Sequence, residues 1–379
     1  MRHTHSQRLE NWLGVDTVER VSAAMRPWYG NPIAVAGVPG NVWATRGGDF
    51  IGHCDAGQAA SIQDWVEDAV RRHARNAWAQ GHRIWRATGR QHNTLNAGFA
   101  SLSDLIAEAT AGKRREFFFR KTGAGSTIGA SDSLWRVGTT PPAGAAASAA
   151  PGGIAPTDAT TGAFFFTNPT GGDTQHFVMA ATSNDVAGDN LMLYDRIFAV
   201  AKTMNSTATE AVTGVPTRYQ NTVAGSADSA ENNFLFPECG TVLPATAHNW
   251  TVCTYTDQGG TASTLPSIVG NASNAAERLD LPLTTSWFAT LETGDRGIRT
   301  LTQMQCSALV ATGTIDFVIG HPLAWFTHPL ANTLFFNDGI NTAFNLVRIF
   351  DDACLAFLIP QIATTNTKNM GGSFTTVAG

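Results

Sequence analysis

The sequence predicts a mainly β protein: an antiparallel, jelly-roll-like β-sandwich body with an N-terminal α-helical arm. Three observations predict it. In Gln303–Val310 apolar and polar residues alternate, Met304, Cys306, Ala308 and Val310 against Gln303, Gln305 and Ser307, and Ile315, Phe317 and Ile319 resume the same period of two. Strict alternation puts one face in a core and the other in water. The solid run Ala353–Ile359 reads instead as a strand buried on both faces. Residues 61–88 carry a different period, with Ile62, Trp65, Val66, Ala69 and Val70 forming the apolar stripe of a helix.

Taken in order, residues 1–112 form the arm. Asp16-Thr17-Val18-Glu19 fits a capping box, and Gly30 to Gly57 is irregular, with at most a short strand at 33–38. The helix over 61–88 is capped by Ser61 and Asp64, with Gly81 as a kink or break. Arg71, Arg72, Arg75, Arg83, Arg86 and Arg90 crowd the rest of its surface, and Trp78 and Trp85 stand seven apart. A stripe this apolar beside arginines is the composition of a protein-binding hot spot. Ile62, Trp65, Val66, Val70, Arg71, Arg72, Trp78 and Trp85 are therefore the candidate interface; a partner protein is preferred, the alternatives being that the tryptophans pack on the chain's own body with the arginines solvated, or that the helix lies on nucleic acid. A second helix is expected over 102–111, capped by Ser101 and stopped by Gly112, with Leu102, Leu105, Ile106 and Ala109 turned inward.

Residues 113–163 connect arm and body. Phe117-Phe118-Phe119, flanked by Lys113-Arg114-Arg115 and Arg120-Lys121, reads as a docking knob or as a strand entering the core with charged flanks. The Pro-, Ala- and Gly-rich stretch 138–163 has no period and reads as an extended surface loop. The body, 164–379, is a series of short strands separated by turn residues. They are expected at 164–167, 176–181, 192–201, 217–222, 250–256, 263–268, 278–283, 286–290 and 374–377, beside the alternating segments already described. Ala311-Thr312-Gly313 is expected to close a hairpin between those segments.

Only 15% of the residues are charged. That leaves much weakly hydrated surface, natural for a subunit whose surface ends against neighbours. Residues 1–121 hold 16 Lys and Arg against 11 Asp and Glu, net +5, and the remainder is net −10. A basic front on an acidic body suggests docking on something acidic. Five cysteines without a CxxC spacing predict reduced, buried thiols, although Cys239 and Cys253 could face each other across a hairpin. The first residues lack an apolar core, so no secretory leader is expected, and no run is long enough to span a membrane.

No motif for catalysis emerges, and the expectation is a protein that is not an enzyme and needs no cofactor or metal. His53-Cys54-Asp55 is adjacency rather than a dyad, because strand neighbours point to opposite faces. His321 and His328 are two ligands without a third. Asp295, Asp351 and Asp352 are the only carboxylates that a glycan-active sandwich enzyme could use, the competing class; a DNA-binding protein would use Arg71–Arg90.

Seven short pieces occur in an order that resembles structural proteins of tailed bacteriophages. They are Leu102-Ser103-Asp104-Leu105 leading to Gly112-Lys113-Arg114-Arg115; Ser133-Leu134-Trp135-Arg136; Phe166-Thr167-Asn168-Pro169-Thr170-Gly171-Gly172; and Leu193-Tyr194-Asp195-Arg196. Then come Tyr255-Thr256-Asp257-Gln258-Gly259-Gly260-Thr261, Thr293-Gly294-Asp295-Arg296-Gly297-Ile298-Arg299 and Asp351-Asp352-Ala353-Cys354-Leu355. The resemblance implies a virion subunit made in the host cytoplasm, a capsid protein (major, minor or cement) or else a tail or neck component. Its expected partners are other virion subunits, including copies of itself. It supplies no catalytic residues, and residues 1–100 lie outside it.

Overall fold

A computed structural model of the protein describes strands 33–34, 41–44 and 50–54, Phe99, and residues 101–123, 127–282, 286–339, 346–363 and 368–379. The chain divides into two compact units, Met1–His92 and Asn93–Gly379. In the first, β1 (Ile33–Ala34), β2 (Asn41–Ala44) and β3 (Phe50–Cys54) form an antiparallel sheet in the order β1-β2-β3. The stretch expected to hold one short strand thus holds three. The expected helix over 61–88 lies outside the described residues.

The second unit is mainly β and antiparallel. It opens with helix α1 (Leu102–Glu108), whose N-cap Ser101 accepts a hydrogen bond from the Asp104 amide, as its spacing predicts. The turn that follows, Ala109–Lys113, is wider, and Gly112 at φ 90° ends it. Of the four residues expected to face inward, Leu105 is buried and Ala109 packs beside it; Leu102 and Ile106 are exposed. A helix of this length touches the body along one narrow line, so its other apolar positions reach solvent.

The long strands are β4 (Arg114–Gly123), β5 (Gln175–Asn184), β6 (Asn190–Lys202), β7 (Phe234–Thr241), β8 (Asn249–Asp257), β9 (Ile298–Cys306), β10 (Thr314–Thr327), β11 (Leu355–Ile359) and β12 (Lys368–Ala378). They lie in three sheets. A central sheet runs β7-β10-β6-β11 and ends on the short strand Asp132–Ser133. A lateral sheet is built on β8 and β9. A terminal sheet runs from Phe335–Asp338 through β5, β12 and β4 to Thr139–Thr140.

The central sheet is covered on both faces, which makes the sandwich three layers deep. In β11, Ala356 and Leu358 join the core shared with the lateral sheet, and Leu355, Phe357 and Ile359 join the core shared with the terminal sheet. All five are buried, as the solid apolar run requires. β6 divides likewise, with Met192 and Tyr194 on one side and Leu191 and Leu193 on the other.

The expected hairpin between the alternating segments does not form. β9 pairs with β8 in the lateral sheet, and β10 pairs with β7 and β6 in the central one. Residues 307–313 instead carry the chain across the core from one sheet to the next, with Val310 fully buried in passing. Local alternation reports a buried face but does not name the strand that supplies hydrogen bonds. Four other expected strands, at 164–167, 217–222, 278–283 and 286–290, are loops or isolated bridges among the described residues, although Phe164 and Phe166 do enter the core.

The Pro-, Ala- and Gly-rich stretch is more than a surface loop. Where β11 ends along the edge of β6, Ala149 and Ile154 bridge to Ala201 and Ala199, so the stretch continues the sheet edge. Ala147, Ala150 and Ile154 pack on the core. A β-carbon at Gly153 (φ +65°) would strike the Phe198 ring and the Ala199 carbonyl. Small residues are what this close approach demands.

Candidate functional site

Strand β4 carries three consecutive phenylalanines, and the pleat sends them to opposite sides. Phe117 and Phe119 point into the core, Phe117 stacked on Phe374 with centroids 4.8 Å apart and Phe119 4.4 Å from Phe357. Phe118 points the other way and is 68% exposed. The pairing places it in a row of directly opposed residues across four strands: Phe336 opposite Ala181, Ala181 opposite Ser373, and Ser373 opposite Phe118. Phe336, at the other end of the row, is 70% exposed. The next row on this face, Asp338, Met179, Thr375 and Glu116, contributes a further exposed apolar side chain, Met179. The centre of the face is thus small and flat, its two ends are aromatic, and its charges sit at the margins, Glu116 and Arg120 on β4 and Asp338 on the opposite edge strand. The tripeptide thus enters the core through Phe117 and Phe119, as a core strand does, and leaves Phe118 exposed.

Behind that face the fold is held by buried, fully partnered charges. Arg196 of β6 donates to both carboxylate oxygens of Glu238 on β7 (2.9 and 3.4 Å), and the same carboxylate accepts the Ser133 hydroxyl. The guanidinium lies 4.9 Å over the Trp135 ring. Burial disfavours its charge, but Glu238, Tyr194 and Asp316 together outweigh burial and raise the Arg196 pKa. Asp195, the preceding residue, takes Arg218 in a two-point grip (2.7 and 2.8 Å) and also accepts the Cys354 amide (2.9 Å). Asp316, opposite Glu238 in the ladder, has its pKa raised by burial and by that neighbouring carboxylate. Lys121, on the inner side of β4, donates to the carbonyls of Val137, Pro141 and Pro142, and burial lowers its pKa to about 8.

These clamps join the sequence pieces that carry the bacteriophage resemblance. Asp195 ties Leu193–Arg196 to Asp351–Leu355 through the Cys354 amide. Asn168 and Asp352 exchange two hydrogen bonds, 2.7 and 3.0 Å, which tie Phe166–Gly172 to that same piece. The Tyr255 hydroxyl donates to Asp295, and Gln258 accepts the amides of Arg296 and Gly297, tying Tyr255–Thr261 to Thr293–Arg299. Trp135 under Arg196 ties Ser133–Arg136 to the central strand. Pieces far apart in sequence therefore meet as loop fastenings.

The three carboxylates considered for glycan hydrolysis are not brought together into one cleft. Asp295 lines a cleft beside Trp287, whereas Asp352 is held by Asn168 and Asp351 does not line that cleft. His321 stacks on Tyr219 (3.8 Å) and bonds Asn233, while His328 bonds Thr182 and the Asp189 carbonyl. Among the described residues no group of three or more His, Cys, Asp or Glu converges as a metal site. Cys239, Cys253, Cys306 and Cys354 are free and buried, with Cys239 and Cys253 on strands of different sheets. Burial pushes the Cys253 thiol up to about 12. No helix among the described residues is long and apolar enough to cross a membrane. The arm residues singled out from sequence, Ile62, Trp65, Val66, Val70, Arg71, Arg72, Trp78 and Trp85, lie outside the described residues. Sequence alone did not pick out Phe336 or Met179, because pairing across β5 and β12 is what puts them beside Phe118.

No family model matches the chain. No curated protein matches it either. Among solved structures, a structure of infectious bursal disease virus, Gt strain, aligns over 70% of this chain and 80% of that one, at 10% identity and a TM-score of 0.14. A likeness at that score carries no argument about fold or function.

Proposed function

We propose that the chain is a structural subunit of a bacteriophage particle, a capsid protein that stabilises the head through contacts with neighbouring subunits. The observation that carries this reading is the outer face of the terminal sheet, where exposed Phe118 and Phe336, uncovered among the described residues, close a row of small residues and Met179 lies beside them. An exposed aromatic pair on a flat sheet has the character of an interface core, and a standard interface buries about 1,600 Å² in total. The scarcity of charge supports the same reading, and so does the order of sequence pieces that meet as fastenings. Such fastenings suit a protein that must hold its shape under load.

In this reading the chain acts by burial rather than turnover, and copies of the chain are among its neighbours. The test is sedimentation of the full-length protein over a range of concentrations, with electron microscopy of the fastest species. Concentration-dependent rings or shells are expected. A strict monomer at the highest concentration, unaltered by adding purified head proteins of a host phage, would refute it. The tryptophan- and arginine-rich segment 61–88 is assigned the second contact, as a latch onto a neighbour. Its signature is attachment that loosens with salt.

A further inference from the structure

The cleft that Asp295 lines encloses about 400 Å³, within the range of small-molecule sites. Its floor and walls are Phe234, Trp287, Phe288, Leu291 and Pro322. Trp287 is locked edge-to-face by Phe234, Phe288 and Trp325, at centroid distances of 5.1, 4.4 and 5.2 Å. Against this apolar surface stand five polar residues: Asn232, Asn233, Thr290, Asp295 and Arg296.

The polar rim is built rather than incidental. The Tyr255 hydroxyl donates to one Asp295 oxygen at 2.5 Å and accepts the Glu292 amide at 2.9 Å, so a buried tyrosine fixes the carboxylate from behind. Gln258 accepts the next two amides of the loop, and Asn232, at φ 70°, donates its amide to the Arg296 carbonyl. Both lips are therefore fastened to each other and to β8, and a ligand meets a preorganised site.

The cleft lining carries one charge of each sign. Arg296 is 2.8 Å from Glu231, and Asp295 keeps its negative charge while accepting the hydrogen bond of the neutral Tyr255 hydroxyl. With Asp295 and Arg296 both in the lining, neither an anion nor a cation is favoured, while acceptors and donors remain beside an aromatic floor. The ligand that matches is neutral, has one apolar face and carries hydroxyls around its edge. We propose that this cleft binds a neutral glycan, one or two pyranose rings seated against Trp287 and Phe288 with hydroxyls donating to Asp295 and accepting from Arg296 and Asn232. Asp295 is the one carboxylate lining the cleft among the described residues, so the arrangement binds a sugar and lacks the second carboxylate that ordinary glycoside hydrolysis uses.

This inference does not rest on the particle reading. Its test is saturation-transfer NMR and calorimetry on the full chain with maltose, cellobiose, lactose and N,N′-diacetylchitobiose as probes. At least one is expected to bind saturably, with transfer strongest to the protons of one ring face. Asp295→Asn, which keeps an acceptor for Tyr255, should weaken binding about tenfold or more. Phe288→Ala, at a half-open position, should weaken it as well, and Asp351→Asn should leave it unchanged. Each variant is first checked for a wild-type thermal transition. The proposal is overturned if none of the four sugars binds, or if the bound sugar is held as tightly by folded Asp295→Asn and Phe288→Ala as by the wild type.

Discussion

The two faces of the terminal sheet are made from the same kind of residue and are put to opposite uses. On the inner face Phe117, Phe119 and Phe374 interlock with Phe164 and Phe357 into a continuous aromatic core. On the outer face Phe118 and Phe336 stand at the two ends of a row of small residues with nothing packed over them among the described residues. Burial of an inner ring is complete on folding, so its contribution belongs to the stability of the subunit. An outer ring gains nothing from folding and gains its burial only on association. Composition cannot separate the two cases, but position on the pleat does.

The comparison breaks most directly at Phe374. It is fully buried and touches Phe117, Phe164 and Phe357. Phe374→Ala should cost about 3–5 kcal/mol through lost transfer energy and the cavity left behind. Chemical denaturation measures it. A cost below about 1 kcal/mol would mean that the terminal sheet is not tightly joined to the central one.

The buried ion pair offers the next largest effect. Glu238→Gln leaves Arg196 charged in a site with essentially no solvent, and breaking such a pair costs about 3 kcal/mol. The double substitution Arg196→Met with Glu238→Leu should recover most of that loss, because the desolvation penalty goes with the charges. If the double variant is as unstable as the single, the pair's value lies in its bonds to Ser133 and its stacking on Trp135.

Acidification should act on the histidines. Burial lowers the pKa of His176 and His328, and lowers that of His321 to about 3. Below the ordinary value of about 6.5, the unfolded chain takes up protons that the folded chain refuses, so stability is lost as pH falls from there toward the folded values. His248 runs the other way. Burial opposes its charge but Asp280 prevails and raises its pKa, so its contribution is present at low pH and lost as pH rises through the folded value. Asp316, whose raised pKa lets the folded chain take up a proton before the unfolded one, works with His248. Three groups oppose two, and the thermal midpoint should drop between pH 6.5 and 4, roughly 2–4 °C for each kcal/mol. His321→Gln, which can still donate to Asn233, should make that drop shallower. At the other end, Lys121 should make the fold more stable as pH rises from 8 to 10.5, since the unfolded lysine there still holds a proton the folded one has shed.

How much of this was legible in the sequence depends on the reach of the signal. The two-sided burial of β11, the Ser101 cap and the period of β9 are local patterns and read correctly, whereas β10, expected to keep one face in water, is buried on both faces from Ile315 to Gly320 because the central sheet is covered on both sides. The assignment of β9 and β10 to different sheets is set by partners elsewhere, β8 for one and β6 and β7 for the other. The pairing of β4 with β12 joins strands some 250 positions apart, which no window of sequence can see. The cleft is less legible still. It draws on the segments around Asn232, Trp287, Asp295 and Pro322, each unremarkable alone. Asp295 stands out in the sequence as a carboxylate, but its fastening by Tyr255 appears only once the lateral sheet is formed.

The sharpest form of the comparison has the smallest effect on the fold. Phe118→Ser with Phe336→Ser removes both aromatic ends of the outer row and leaves every inner contact in place. Each ring is more than two-thirds exposed, so little apolar area returns to water and the unfolding free energy should move by no more than about 0.5 kcal/mol. β4 is the next-to-last strand in its sheet and Phe335–Asp338 the last on the other side, so serine is tolerated without disturbing the ladder. Association is another matter. If this face meets a neighbour, each ring buried there contributes about 1.5–3 kcal/mol, and losing two should shift sedimentation to the smallest species at concentrations where the wild type is assembled. Phe374→Leu serves as the matched control, since it should lower stability while leaving assembly of the folded fraction intact. A double variant that assembles normally would assign the contact to another surface, and one that unfolds would show that the outer rings belong to the core after all.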